Sequence, residues 1–276
     1  MEFVLNNGVK LPKIGFGTYR ATENDGEQTI LDALSVGYRY FDTASFYMNE
    51  EEIGNAIKKS GVPREDIFLA SKVWKTQMGY ESTLAAFEES LEKLQTDYLD
   101  LYLIHWPKTI SDADWKQKLQ DTWKAMEELY NAGRIRAIGL SNFLPHHIEA
   151  LKETAIVKPT VNQLELHVGY MQEAAVAKCR EEGIVPQAWS PLGRRRVLAE
   201  PIVVSMAEKY QATTAELLLK FLLQSDIAVI PKASSKERMS ANLNLSDFEI
   251  NEEDMSFLRC LPQMGWSGEH PDVELG

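Results

Sequence analysis

Basic residues are under-represented in this chain. It has 29 lysines and arginines against 41 acids, a formal charge of −12. That balance disfavours non-specific contact with nucleic acid or an anionic membrane, so any anionic ligand needs a local cationic patch. Cysteine is scarcer still: Cys179 and Cys260 stand alone, with no metal-ligand spacing and no disulfide framework. No apolar run approaches the ~20 residues of a membrane-spanning helix. Met1-Glu2-Phe3-Val4 lacks the basic start and long apolar core of a signal peptide, which leaves the cytoplasm as the expected compartment. No linker or low-complexity stretch divides the chain, and no hydrophobic surface stripe stands out. A single domain over residues 1–276 and a monomer are the resulting expectations.

What the chain does have is a repeated rhythm of short apolar runs and amphipathic stretches. Phe3-Val4-Leu5 and Val9-Lys10-Leu11 flank Asn6-Asn7-Gly8, the turn chemistry of a β-hairpin. Strands are then expected at 14–17, up to Asp42, 67–73, 99–105, 135–140, 161–165, 184–189 and 227–230. Helices are expected between them, at about 26–36, 49–59, 80–94, 115–131, from Pro145, 172–182, 201–210 and 214–224, with two more after Ser235 and Asn251. Gly133 is placed to stop the fourth helix. Eight strands alternating with helices predict an α/β fold, a (β/α)8 TIM barrel whose N-terminal hairpin caps the bottom.

In such a barrel the reactive groups stand at the C-terminal ends of the strands. Here those ends are polar: Asp42, Lys72, His105, Ser141, Asn142, Gln163 and Ser190. The stretch F-D-T-A-S-F-Y-M-N-E from Phe41 to Glu50 adds Tyr47 in the loop after the second strand. Singly, each residue has a structural explanation: Asp42 as a loop cap, Tyr47 as packing with a polar tip, His105 as a core histidine. A lysine ending an apolar strand is harder to explain, because a buried ammonium needs a partner, and Asp42 is the natural one. A tyrosine beside Lys72 is expected to have its pKa lowered from about 10. It then suits proton donation to an oxygen gaining negative charge, with His105 orienting that oxygen or relaying the proton. The hydride must come from a cofactor, since no side chain supplies one.

The chain resembles the aldo-keto reductases along essentially its full length. The resemblance lies in G-F-G-T-Y (15–19), D-T-A-S-F-Y-M-N-E (42–50), L-Y-L-I-H-W-P (101–107), I-G-L-S-N-F (138–143), V-N-Q-L-E-L-H (161–167) and I-P-K-A-S-S-K-E-R (230–238). It implies NADPH-dependent reduction of a small carbonyl substrate, with NADH as the alternative cofactor and no metal. Tyr47 is the implied general acid, Lys72 and Asp42 tune it, and His105 orients the carbonyl. Ser141, Asn142 and Gln163 match the residues that hold the nicotinamide carboxamide, and Trp189 the aromatic on which the ring stacks. Ser190, Leu192 and Arg194 follow in the same loop, with Arg194 near the pyrophosphate. Lys232 and Arg238 match the grip on the extra ribose phosphate, and Asn242 an adenine contact. Tyr19, Phe46, Trp74 and Trp106 are expected to line the substrate mouth, and Trp266 to anchor the tail on the surface. Three departures stand out: Met48 where the family usually has glycine, Ala233 in place of a hydroxyl residue, and Ala241 in place of a carboxylate. The loop from Pro107 to Asp114 and the tail after Leu261 are short, as in compact microbial members such as 2,5-diketogluconate reductases, and imply an open site. Two other readings remain: a non-catalytic NADPH-binding sensor or interaction subunit, and a lyase using Lys72 as a Schiff-base nucleophile.

Overall fold

The structure, a computed structural model, describes residues 2–21, 25–109 and 113–273. Residues 110–112 of the loop expected to be short therefore lie outside the described residues. β1 (Glu2–Val4) and β2 (Lys10–Pro12) form the antiparallel hairpin, and Gly8 takes the positive φ of +86° that its turn requires. The barrel strands follow as β3 (Phe16–Gly17), β4 (Tyr40–Asp42), β5 (Phe68–Val73), β6 (Leu101–Ile104), β7 (Ile138–Ser141), β8 (Val161–Glu165), β9 (Val185–Trp189) and β10 (Ala228–Val229). All pair in parallel with their sequence neighbours, in the order β3 to β10. The Ile14–Val229 bridge closes the ring, supported by Gly15 N–H donating to Val229 O at 2.8 Å and Val229 N–H to Lys13 O at 2.9 Å. Gly17 is needed at this seam, because a Cβ there would sit 2.7 Å from the Ile230 carbonyl oxygen.

The helices are α1 (Gly26–Ser35), α2 (Glu50–Ser60), α3 (Tyr80–Leu94), α4 (Trp115–Asn131), α5 (Pro145–Lys152), α6 (Glu173–Glu182), α7 (Pro201–Lys209), α8 (Thr214–Gln224), α9 (Lys236–Leu243) and α10 (Glu252–Arg259). Their boundaries follow local chemistry. Thr213 and Glu216 form a reciprocal capping box at the start of α8, and Pro145 opens α5. Gly133, at φ +72°, follows the end of α4. Strands come out shorter than their apolar runs suggest: the first begins at Phe16 and the fifth spans Ile138–Ser141. Ile14 and Ile135 make only isolated bridges, to Val229 and Leu99.

Strand alternation then sorts the side chains. One large cluster, with Ile53, Phe87, Trp123, Leu164 and Phe221, packs helices on the outside of the barrel. A second fills the barrel interior with Tyr40, Phe68, Ala70, Leu101, Leu103, Ala137, Val161, Ala228 and Ile230, and Leu5 and Leu11 of the hairpin join it from below. Asn6 and Asn7 fasten the hairpin to the Pro159, Gly183 and Arg136 carbonyls. Stepping two residues onward from those interior positions gives Asp42, Lys72, His105, Gln163 and Lys232. The interior rows thus carry hydrocarbon at the bottom and ionisable or amide groups at the top. Among the described residues, no helix is long and apolar enough to cross a membrane.

Candidate active site

A cavity of about 450 Å³ opens at that top end. Asp42 ends β4, and a short 3₁₀ turn over Ser45–Tyr47 carries Tyr47 toward β5. Lys72 is fully buried; its Nζ donates to Asp42 Oδ1 at 2.5 Å, to Thr43 O at 2.9 Å and to the Tyr47 hydroxyl at 3.4 Å. His105 directly follows β6, with Nε2 3.5 Å from the same hydroxyl. The four sequence-predicted residues therefore converge, with the phenol between an ammonium and an imidazole.

Their charge states differ from the expectation in one respect. The Tyr47 pKa is not lowered: burial pushes the phenol well above 10, and the Asp42 charge adds to it. Asp42 is held by Lys72 on one oxygen, but it still faces the phenol with negative charge, so ionising Tyr47 is opposed. Burial likewise lowers Lys72, against the attraction of Asp42. His105 is driven well below 6.5 by burial, then by the charges of Lys72 and Lys75. It is a neutral imidazole, suited to orienting an oxygen rather than delivering a proton as a cation. Its buried Nδ1 has no partner among the described residues.

A buried polar chain runs sideways from Asp42. Gln163 Nε2 donates to Asp42 Oδ2 at 2.7 Å and to Gln187 Oε1 at 2.8 Å, and Gln187 Nε2 donates to the Tyr40 hydroxyl at 3.0 Å. Gln187 and Tyr40 were not singled out from the sequence. The available signal was a polar residue two positions before Trp189 on an interior row. Ser141 Oγ donates to Gln163 O at 3.0 Å, and Asn142 Nδ2 to His105 O at 2.9 Å. Trp189 Nε1 donates to Asn142 Oδ1 at 2.8 Å, which sets the plane of its ring. Asn142 and Ser190 hold φ of +64° and +50°. Left-handed backbone costs a non-glycine residue roughly 1–2 kcal/mol, and such strain gathers at functional sites. Met48 has the same geometry, φ +58°, and is 81% exposed. A glycine there would meet no such cost, and nothing in the structure explains the methionine.

The cofactor-side residues fall into two groups. Ser141, Asn142, Gln163, Trp189, Ser190, Arg194 and Lys232 line the cavity. Leu192 instead packs against the hydrophobic core, and Arg238 and Asn242 lie outside the cavity on α9. Arg238 rests on the hydroxyls of Ser234 (2.8 Å) and Ser235 (3.3 Å), so hydroxyls are supplied one and two residues beyond buried Ala233. Arg194 lies over the Trp189 ring at 5.4 Å and pairs with Glu269 at 2.5 Å. On the substrate side Tyr19, Phe46, Trp74 and Trp106 line the cavity as expected. Phe46 stacks on Trp74 with centroids 3.9 Å apart, and Trp74 meets His105 edge-on at 4.9 Å.

The tail, expected to be a short wall of the site, packs against it through several contacts. Gly268, Glu269, His270, Pro271 and Val273 form a wall of the cavity. Ser267 is held by Glu165, and Trp266 stacks on Tyr170. Asp272 is clasped by Lys108 at 2.7 Å, His147 at 3.0 Å and His146 at 3.1 Å. Ligand atoms of His146, His147 and Asp272 lie within 4.8 Å of one another, which is metal-like spacing. However, His147 Nδ1 accepts from the Leu144 N–H, so Nε2 carries the proton and donates to Asp272. Burial keeps this imidazole neutral, with a pKa of about 4. The cluster is a clasp on the tail.

The model of the Aldo/keto reductase family matches residues 13–261. Glyoxal reductase of Bacillus subtilis is 44% identical over 269 residues, 97% of this chain and 95% of that protein. An aldo-keto reductase from a Medee basin deep-sea metagenome library superposes with a TM-score of 0.88 at 40% identity, covering 95% of each chain. A Bombyx mori aldo-keto reductase solved in complex with NADP gives a TM-score of 0.85 at 31% identity, covering 94% of this chain and 92% of that one. This chain belongs to the aldo/keto reductase family, and it is an oxidoreductase.

Proposed function

We propose that the protein reduces aldehydes or ketones to alcohols with NADPH, using Tyr47 as general acid. The observation that carries this reading is the Tyr47 hydroxyl, 3.4 Å from the Lys72 ammonium and 3.5 Å from His105 Nε2, at the floor of an aromatic cavity. The residues present fit a nicotinamide. Trp189 offers a ring face with its plane fixed by Asn142, Gln163 Oε1 is left as an acceptor for a carboxamide, and the Ser141 hydroxyl can turn to donate to one. The Bombyx mori relative, solved with NADP, supports the same choice.

When bound, the reduced nicotinamide supplies the hydride to the carbonyl carbon. The protein does the rest. Tyr47 and His105 hold the carbonyl oxygen, and Tyr47 gives it a proton as negative charge develops there. Lys72 stabilises the phenolate left behind, Asp42 keeps the ammonium in place, and solvent returns the proton to Tyr47. The products are the alcohol and the oxidised cofactor. A Schiff-base role for Lys72 is disfavoured, because its ammonium is buried and already donates to Asp42 and Thr43. The test is NADPH consumption, followed by absorbance, over a panel of small aldehydes. Turnover is expected. Measurable NADPH binding without turnover of any carbonyl would replace this reading with the sensor.

Cofactor preference is expected to rest on Lys232, an exposed cation at the cavity edge. A charge-assisted contact to phosphate contributes roughly 1.5–3 kcal/mol, and 1.4 kcal/mol is tenfold. Lys232→Ala should raise KM for NADPH about tenfold and leave KM for NADH within about twofold. Equal shifts for both cofactors would remove Lys232 from the ribose phosphate.

A further inference from the structure

Lys75 begins the 3₁₀ turn Lys75–Gln77 immediately after the catalytic strand β5 and Trp74. It lines the same cavity as Tyr47 and His105. Its ammonium lies over the Trp74 ring at 5.4 Å from the centroid, and that ring is 4.9 Å from the imidazole of His105. A single indole therefore spans the distance between the cation and the reacting groups. The turn is tied down where it meets the site: Gln77 Oε1 accepts from Ser45 Oγ at 2.9 Å, and Phe46 stacks on Trp74.

The surrounding charges leave this lysine unmatched. It pairs with no carboxylate among the described residues, although the chain carries a formal charge of −12. Lys108, the other lysine on this side of the cavity, is neutralised by Asp272 at 2.7 Å. Glu269, the carboxylate on the tail wall, is held by Arg194 at 2.5 Å, and Asp42 is held by Lys72 below the floor. Among the described residues, Lys75 thus brings a positive charge without a carboxylate partner to the aromatic substrate mouth, and its field reaches His105, where it helps keep the imidazole neutral. An uncharged substrate would gain nothing from that arrangement. An anionic one would supply the missing partner.

We infer that the preferred substrates are short aldehydes with a carboxylate at the far end, ω-oxo carboxylates, and that Lys75 is the counter-ion that selects them. This rests on the carbonyl-reductase reading above. The carbonyl is held by Tyr47 and His105, the carbon chain lies against Trp74, and the carboxylate meets the Lys75 ammonium at the rim. The pair is half-buried, so its contribution is modest and sensitive to salt.

The experiment compares 4-oxobutanoate with its methyl ester, which keeps the carbon skeleton and removes the charge. With native protein and NADPH, kcat/KM for the acid should exceed that for the ester about fivefold, with the difference mainly in KM and shrinking as salt rises. In Lys75→Met the ratio should fall to near one, and in Lys75→Arg it should largely survive. A native ratio of one or below, or a ratio unchanged in Lys75→Met, would overturn the assignment and leave the reductase intact. No turnover of either compound would instead count against the reductase reading itself.

Discussion

Tyr47→Phe should lower kcat/KM for an aldehyde by about three orders of magnitude while changing NADPH affinity little. General acid catalysis contributes roughly 10²–10⁴-fold, and this substitution removes the proton without altering the ring. The Tyr19 ring, 4.9 Å from that of Tyr47, keeps its contact. Loss of the hydroxyl leaves Lys72 with two acceptors, Asp42 and Thr43 O, so stability should hold. Charge states add a second readout. The native phenol is pushed above 10 by burial and Asp42, so it remains a competent acid into alkaline solution. His105 titrates well below 6.5 and contributes no break near neutrality. The native kcat/KM should therefore stay level from about pH 6 to about pH 9. Unchanged activity in Tyr47→Phe would remove the acid assignment; a break near pH 7 would show that another group controls the proton.

The largest effect on stability is expected from Lys72→Met. The native ion pair is enclosed, with side-chain exposures of 0% for Lys72 and 2% for Asp42. Removing one partner of such a pair leaves an uncompensated charge and costs about 3–5 kcal/mol. For a chain of this size that is a fall in Tm of about 10 °C. The penalty falls on the carboxylate, because without Lys72 the buried Asp42 charge loses its cation. Adding Asp42→Asn should restore most of the lost Tm, because the amide oxygen still accepts from Gln163 and no charge remains. Turnover should not return. If the double variant is no more stable than Lys72→Met, the loss comes from packing rather than from the orphaned carboxylate.

Much of the site was legible because a barrel strand imposes a period of two and one end of the barrel is open. Asp42, Lys72, His105 and Gln163 each follow an apolar interior residue by two, so a polar strand end was enough to mark them. Tyr47 came from the loop pattern, and its neighbours confirm the position but not the charge state. Its pKa depends on how deeply the hydroxyl is enclosed, and no local spacing encodes that. The Gln187–Tyr40 pair was illegible for a similar reason: a contact between residues 147 positions apart exists only once the ring has closed. The cofactor end was partly legible, since the cations were visible, whereas the pairing of Arg194 with Glu269 joins two loops of no regular pattern. Which tail residues line the cavity was not legible. Residues 262–273 contain no helix and only an isolated bridge, so hydrophobic periodicity has nothing to report there.

That wall also matters for handling the protein. Glu269, His270 and Val273 line the cavity of the reacting groups, whereas β1 lies at the opposite, plugged end of the barrel. A bulky label attached at one of these tail positions would sit beside the substrate mouth. The same label on the hairpin would be a barrel's length away. Kinetic constants from a tail-labelled preparation would therefore partly describe the label.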